Sequence, residues 1–340
     1  MEAFIQALVS GLIYMVTFAI VAWTAGALFY DVGRASKFAW ILVFLWVVAV
    51  VTVFLVWPPV WKPFLLVLTV FGLFLLWWFS QKPSNNRNWE PTTAVLTRVD
   101  INGDTVTIDN VRNAEYQASG ECIPRYDTRS FRMSNLCGLD SLLCLWGTPG
   151  MSHPIFVFDF GSDGRVCFSI EVRYRVRQKY NLLRSLYRQQ ELIYLVCDER
   201  DVLLRRTKHS QDQDVYLYRI NAEEWEIRRF FMEYVDQVNA LIEQPRWYNG
   251  LTTNCTTSIY AQREDQMVWD WRLLFNGKLD QMLYDRKRLD RSMPFEMLKQ
   301  HSWVNEIANR APLESFGDYI RCELSAYTPK PTTDEHDAEF

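Results

Sequence analysis

Three stretches without a charged residue take up most of the first 81 residues: Ala3–Tyr30, Ala39–Trp61 and Pro63–Gln81. Each approaches or exceeds the roughly 20 apolar residues that a bilayer-spanning helix needs. Trp57, Trp61, Trp77 and Trp78 stand at their ends, where interfacial aromatics collect. One cleaved signal would not explain three apolar runs, and no basic segment precedes the first. The expectation is three membrane helices, at about 4–30, 39–61 and 64–81. Such a chain puts its N-terminus and the 58–63 loop on one side, and the 31–37 loop and everything after residue 81 on the other. Lys62 faces Arg34, Lys37, Lys82 and Arg87 in that count, so the positive-inside rule alone places the remainder in the cytoplasm.

The remainder reads as a mixed α+β domain. Lys82–Trp89 has linker composition. A hairpin follows over Ala94–Ile108 with Asn102-Gly103 at its turn. Asn113–Leu145 has no single period. Strands are expected in HPIFVFDF and RVCFSIEVRYRV, joined by a turn at Gly161–Gly164, and one step of register decides which side chains meet. An odd loop, such as Ser162-Asp163-Gly164, matches the phenylalanine face of the first strand (Phe156, Phe158, Phe160) to the Val166–Phe168 face of the second. The same parity puts His153 and Glu171 on one face. Further on, the pattern predicts a short helix around Tyr180–Arg188 and strands at Glu191–Val196, Val202–Arg206 and Val215–Ile220. A capping box at Asn221–Glu224 opens a helix that runs to about Glu243 and is ended by Pro245. Helices reach to about Arg321, interrupted at Asn276-Gly277 and Pro294. The polar tail from Pro329 reads as disordered. There is no internal repeat.

Composition narrows the function classes. The formal charge is −4, with no basic tract that would suit nucleic acid. Seven cysteines occur without CxxC or CxxH spacing, which argues against a structural zinc site. The most suggestive cysteine lies in Leu251–Tyr260, LTTNCTTSIY, where a turn reads as becoming a helix. Thr253 or Asn254 can cap that helix, leaving Cys255 in its first turn. There the helix dipole and unpaired N–H groups favour a thiolate and could receive an oxyanion. The competing reading is a structural cysteine among small polar neighbours. The other cysteines mostly lie in apolar runs, as small packing residues do.

A thiol nucleophile needs a base, and the base needs an orienting group. The chain has four histidines. His336 is in the tail, His209 in a polar run and His301 in a helical segment. His153 enters a strand after Trp146-Gly-Thr-Pro-Gly150, which makes it the best base, although strand-edge histidines are also often structural. Glu171 is its natural partner, with Ser169 next. Glu171 could instead form a surface ion pair with Arg173 or Arg175.

Several stretches together resemble the Lnb-type lipoprotein N-acyltransferase family, in its N-terminal periplasmic domain. They are PSNNRNW (83–89), VTIDNVRNAEY (106–116), YDTRSF (126–131), WGTPGMSH (146–153), SIEVR (169–173), ELIYLVCDERD (191–201), DVYLYR (214–219) and TTNCTT (252–257). The membrane spans and the later LDRSMPFE (289–296) are similar to a membrane-anchored branch. A strand histidine before the cysteine is similar to the circularly permuted papain-like fold of the lecithin:retinol acyltransferase type. The resemblance implies Cys255 as nucleophile, His153 as base and Glu171 as orienting acid. Ser169, Asn254, Trp146, Tyr126 and Arg129 are candidates for substrate or oxyanion support.

The domains expected are a membrane region (1–81), a catalytic domain (82–262), a helical extension (263–326) and the tail (327–340). The resemblance places the domain in the periplasm of a bacterial inner membrane, against the charge count. The substrates implied are membrane lipids and lipoproteins, with no cofactor, metal or nucleic acid. A lipid esterase or peptidase with the same residues, and a non-catalytic envelope scaffold, are the alternatives.

Overall fold

The computed structural model describes residues 1–117, 121–146 (Trp146 by its backbone), 150–178, 181–209, 213–253, 270–273, 276–324 and 327. It divides into two compact units. One comprises Met1–Ser84, Lys179–Glu191 and Trp247–Gly250, and the other comprises Asn85–Gln178, Leu192–Arg246 and Leu251–Phe340.

The first unit is built on three helices: α1 (Glu2–Ala27, continued by a wider turn over Leu28–Val32), α2 (Lys37–Val56) and α3 (Trp61–Ser80). All three are long and apolar enough to cross a membrane. Ile20, Val50 and Val67 form their common core. Phe18, Leu55, Leu73 and Leu76 point outward and are more than 60% exposed, which suits a hydrocarbon solvent. The second helix ends at Val56, short of the apolar run, because Pro58 and Pro59 have no N–H to continue it.

The second unit is a sheet with helices on both faces. Its strands are β1 (Arg98–Asn102), β2 (Thr105–Arg112), β3 (Glu115–Tyr116), β4 (Cys122–Ile123), β5 (Tyr126–Arg132), β6 (Gly138–Trp146), β7 (Ser152–Asp159), β8 (Arg165–Arg173), β9 (Glu191–Cys197) and β10 (Gln213–Arg219). The main sheet runs β1-β2-β9-β8-β7-β6-β10, with β5 also on β2 and β3-β4 as a separate ribbon. The β1/β2, β2/β5, β6/β7, β7/β8 and β6/β10 pairs are antiparallel, while β2 meets β9 in parallel at Arg112–Cys197. The stretch without a single period therefore holds four strands, β3 to β6.

The odd loop is present, with its centre at Ser162. Asp159 pairs with Arg165, Phe160 N–H donates to Gly164 O, and Gly161–Asp163 form the turn. Gly161 at φ 55° and Gly164 at φ 98° take the positive backbone angles this compact turn needs. At the first hairpin the turn is Gly103-Asp104, one residue later than the sequence pattern placed it.

Phe156, Phe158, Phe160 and Phe168 all face α5 (Glu224–Glu243), against Phe230, Phe231 and Tyr234, mostly edge-to-face. Each such side chain, fully buried, contributes about 1.5–3 kcal/mol. The cap of α5 is made by Glu223 and Glu226, two residues later than the Asn221–Glu224 box. Asn221 instead donates to Arg288 O, and Arg288 holds Glu226.

The opposite face carries α4 (Glu199–Thr207), α8 (Asn305–Arg310) and α9 (Phe316–Glu323), whose apolar residues share a core with Leu142, Cys144, Ile155, Val157, Val215 and Leu217. Two further helices, α6 (Leu279–Asp285) and α7 (Phe295–His301), precede α8 and α9. The strand expected at Val202–Arg206 is thus the middle of α4. Asp198 caps that helix by accepting from Arg200 N–H at 2.9 Å, and acidic residues fill its first turn and basic ones its last. These end signals outweigh the β-branched Val202 that suggested a strand. The helix expected around Tyr180–Arg188 is one tight turn at Arg184–Leu186. Asn181 Oδ1 accepts from Arg184 N–H there, a local bond that competes with a longer helix.

Helix α4 is bolted down by a fully buried ion pair. Arg112 donates to both carboxylate oxygens of Asp201, at 2.8 and 3.1 Å, and neither side chain is exposed. Ala114 N–H and Tyr116 Oη complete the shell of that carboxylate. Asp201→Asn would leave the guanidinium uncompensated, so full-length protein in detergent should lose about 3–5 kcal/mol in denaturant unfolding. Asp100→Asn, in the exposed Arg98–Asp100 pair, should stay within about 0.5 kcal/mol. Equal effects from the two would show that the buried pair is not what fixes the helix.

Candidate functional site

His153 is the second residue of β7, and the strand's entry is fixed from the far end of the domain. Ser152 N–H donates to Asn276 Oδ1 at 2.7 Å, and its hydroxyl donates to Asn276 O at 2.6 Å. The β7/β8 ladder runs from Ile155–Ser169 to Asp159–Arg165. Pro154, which has no N–H to give, precedes it. The same register, continued by two residues, sets His153 opposite Glu171. On the other side His153 pairs with Cys144 of β6.

Three groups converge on one oxygen. Glu171 Oε1 accepts from Ser169 Oγ at 2.8 Å and from Arg206 Nη2 at 2.9 Å, and His153 Nε2 lies 3.1 Å away. His153 Nε2 is also 2.8 Å from Ser169 Oγ. The hydroxyl has one proton and gives it to Glu171, so toward the ring it accepts. In the neutral form of the ring this geometry puts the imidazole proton on Nε2. The ring is buried, with 5% of the side chain exposed. Burial pushes the Glu171 pKa up, but His153, by its hydrogen bond and by its charge when protonated, and the charges of Arg206 and Arg205 hold it well below its ordinary value. The carboxylate is ionised across the neutral range.

The sequence did not single out Arg206, the cation on this carboxylate. Placed in a strand, it would alternate away from its neighbours. On α4 it comes one turn after Val202, whose carbonyl accepts from Arg206 Nη1. The i, i+4 spacing of two buried residues was the available signal. Arg173, one of the two arginines named in the competing surface-pair reading of Glu171, turns away. It stacks on Trp89 at 4.3 Å and donates to Thr93 O, Ala94 O and Asn85 Oδ1.

Of the other expected site residues, Tyr126 and Arg129 do not reach His153. Both are on β5, four strands from β7, at about 4.8 Å per strand. Tyr126 Oη donates to Pro91 O, while Arg129 pairs with Asp127 and Asp198, the cap of α4. Arg129 thus supports the helix rather than the histidine. Trp146 ends β6, opposite Gln213. Cys255 and Asn254 lie outside the described residues, as does the tail beyond Tyr327. Among the described cysteines, Cys144, Cys167 and Cys197 are fully buried in the core. Burial raises the Cys167 pKa well above its ordinary value and pushes Cys197 up to about 12. Both are thiols suited to packing.

Residues 123–276 match the family model of the Lnb N-terminal periplasmic domain. The match supports placing this domain in the Lnb family. It runs from Ile123, the end of β4, to Asn276, and therefore includes His153, Ser169, Glu171, Arg206 and Cys255. The matching stretch, less than half of the chain, follows three helices long and apolar enough to cross a membrane. No curated protein and no solved structure matches the chain.

The carboxylate node has a defined pH signature. Glu171 has a depressed pKa in the folded state, so the stability it contributes is fully present above its ordinary value of 4.5 and fades as pH falls toward the folded value. Wild type should therefore exceed Glu171→Gln in unfolding free energy by a constant margin between about pH 5 and 7, and that margin should shrink below about pH 4.5. A margin that grows on acidification would contradict the assignment.

Proposed function

We propose that this protein is a membrane-anchored thiol acyltransferase whose domain is a circularly permuted papain-like enzyme. The observation that carries the reading is the His153–Ser169–Glu171–Arg206 cluster. It holds a buried imidazole by Nε2, which leaves Nδ1 to be the basic atom of the proposed reaction, inside a stretch that matches the Lnb domain. Structural histidines rarely need an ionised acid, a hydroxyl and a buried arginine behind them. A general base that must cycle its proton does.

In this reading Cys255 gives its proton to His153 Nδ1 and its thiolate attacks an ester carbonyl of a diacyl lipid. The C–S bond forms, the C–O bond breaks, and the imidazolium protonates the departing alkoxide. The α-amine of a lipidated N-terminal cysteine then attacks the thioester. The C–N bond forms, the C–S bond breaks, and Nδ1 takes the amine proton. Glu171 stabilises the transient imidazolium, and Ser169 holds the ring plane. Asn254 and the first-turn N–H groups after it would receive the oxyanion. The chemistry asks for no cofactor. The substrates are membrane lipids and lipoproteins, met at the outer face of a bacterial inner membrane that the three helices span.

The test follows N-acylation of a lipoprotein by mass spectrometry. Cys255→Ser should abolish the acylated product, and His153→Ala should slow acylation by about 10²–10⁴-fold. Trapping the acyl group on Cys255 would identify the donor. Unchanged N-acylation in Cys255→Ser would overturn the reading, and release of free fatty acid without an acylated amine would select a hydrolase instead.

A further inference from the structure

The chain between β8 and β9 does not stay with the sheet. Lys179–Glu191 belongs to the unit of the three membrane helices, and its described part, Asn181–Glu191, makes specific contacts there. Tyr187 stacks on Tyr30 at 5.3 Å, leans on Trp23 at 6.1 Å and donates to Trp23 O. The fit needs a glycine, since a Cβ on Gly26 would lie 1.8 Å from Tyr187 Oη. Arg188 sits 4.1 Å over the Trp78 ring and donates to Phe79 O and Gln81 O, the open carbonyls at the end of α3. Gln189 Nε2 donates to Asp31 Oδ1, and Trp78 Nε1 holds the other oxygen of the same carboxylate. These contacts fix the segment at the helix ends where Tyr30, Trp77 and Trp78 collect, the level of a headgroup interface.

At that level Leu182 and Leu183 point outward, 50% and 59% exposed. Beside them Arg184 is half-buried, its Nε makes no hydrogen bond, and among the described residues no carboxylate pairs with it. Two exposed leucines cost free energy in water and gain it in the acyl boundary, and an unpaired guanidinium fits a phosphodiester. We propose that Leu182-Leu183-Arg184 is a lipid-contacting wedge: the leucines enter the headgroup–acyl boundary and Arg184 binds a phospholipid phosphate. The continuity of the segment with the outward apolar surface of α1–α3 names the occupant as bilayer lipid. The inference stands apart from any role of Cys255.

The test uses full-length protein in phosphatidylglycerol nanodiscs, with p-benzoylphenylalanine replacing Leu183. Irradiation and intact-mass analysis then count lipid adducts. Replacement of Leu76, an outward residue of α3, marks lipid contact, and replacement of Trp225, exposed on α5, marks water. Position 183 should give adducts at the level of position 76 and about tenfold above position 225. Adducts no higher than at 225 would overturn the wedge. In nanodiscs of a phosphate-free diglucosyl lipid the yield at 183 should fall about threefold, and Arg184→Gln should remove that preference for phosphate. Equal yields in the two lipids with Arg184 intact would overturn the phosphate contact.

Discussion

Helix α4 is the part on which the candidate site depends, and the Arg112–Asp201 pair is what sets its position. A nine-residue helix has little stability of its own, so its place must come from tertiary contacts. Asp201 is held by Arg112 of β2, by Ala114 N–H and by Tyr116. Asp198, the cap, is held by Arg129 of β5. At the opposite side of the same first turn, Glu199 takes two bonds from Arg321 of α9, which also reaches Asp140 of β6. Burial opposes charge on Arg321, but Glu199 and Asp140 raise its pKa well above the ordinary value. Three strands and the last helix thus converge on the first turn of α4. Two turns further on, the helix delivers Arg206 to Glu171.

This arrangement explains why a catalytic pair would need so much surrounding chain. The carboxylate at Glu171 is half of a buried charge balance, and Arg206 is the other half. Without a fixed cation, a carboxyl beside a buried imidazole would be driven toward its neutral form and would lose its grip on the Nε2 proton. The stretches VTIDNVRNAEY, YDTRSF and CDERD, far apart in sequence, are joined through Arg112, Arg129, Asp198 and Asp201. Their common effect is to orient one histidine through two intermediates.

The sequence showed the membrane helices, the His153–Glu171 register and α5 because each rests on a local pattern. A charge-free run, a period of two and a period of 3.6 need no knowledge of the rest of the chain. The register was recoverable because the two phenylalanine-rich faces match only one parity, and that parity fixes the polar face as well. What was not legible came from long-range charge pairing. Arg206 looks like any basic residue near a helix end until Glu171 is placed above it. Tyr126 and Arg129 look like site residues until β5 is seen four strands away. The capping box at Asn221 lost to Glu223 and Glu226 because Arg288, 62 residues downstream, pairs with Glu226.

The tautomer of His153 links this buried network to the proposed chemistry. Nε2 is engaged by Ser169 and Glu171, so in the proposed reaction the proton would pass through Nδ1. A thiol offered at Nδ1 can be deprotonated without disturbing the acid, whereas one offered at Nε2 would have to displace Ser169 first. The segment that leads into the cysteine is equally constrained. Trp247, Asn249 and Gly250 bond to Gln81, Leu186 and Ser185 within the membrane-helix unit, and a Cβ on Gly250 would lie 2.4 Å from Ser185 Oγ. The chain thus leaves the membrane unit at Gly250 and reaches Cys255 five residues later.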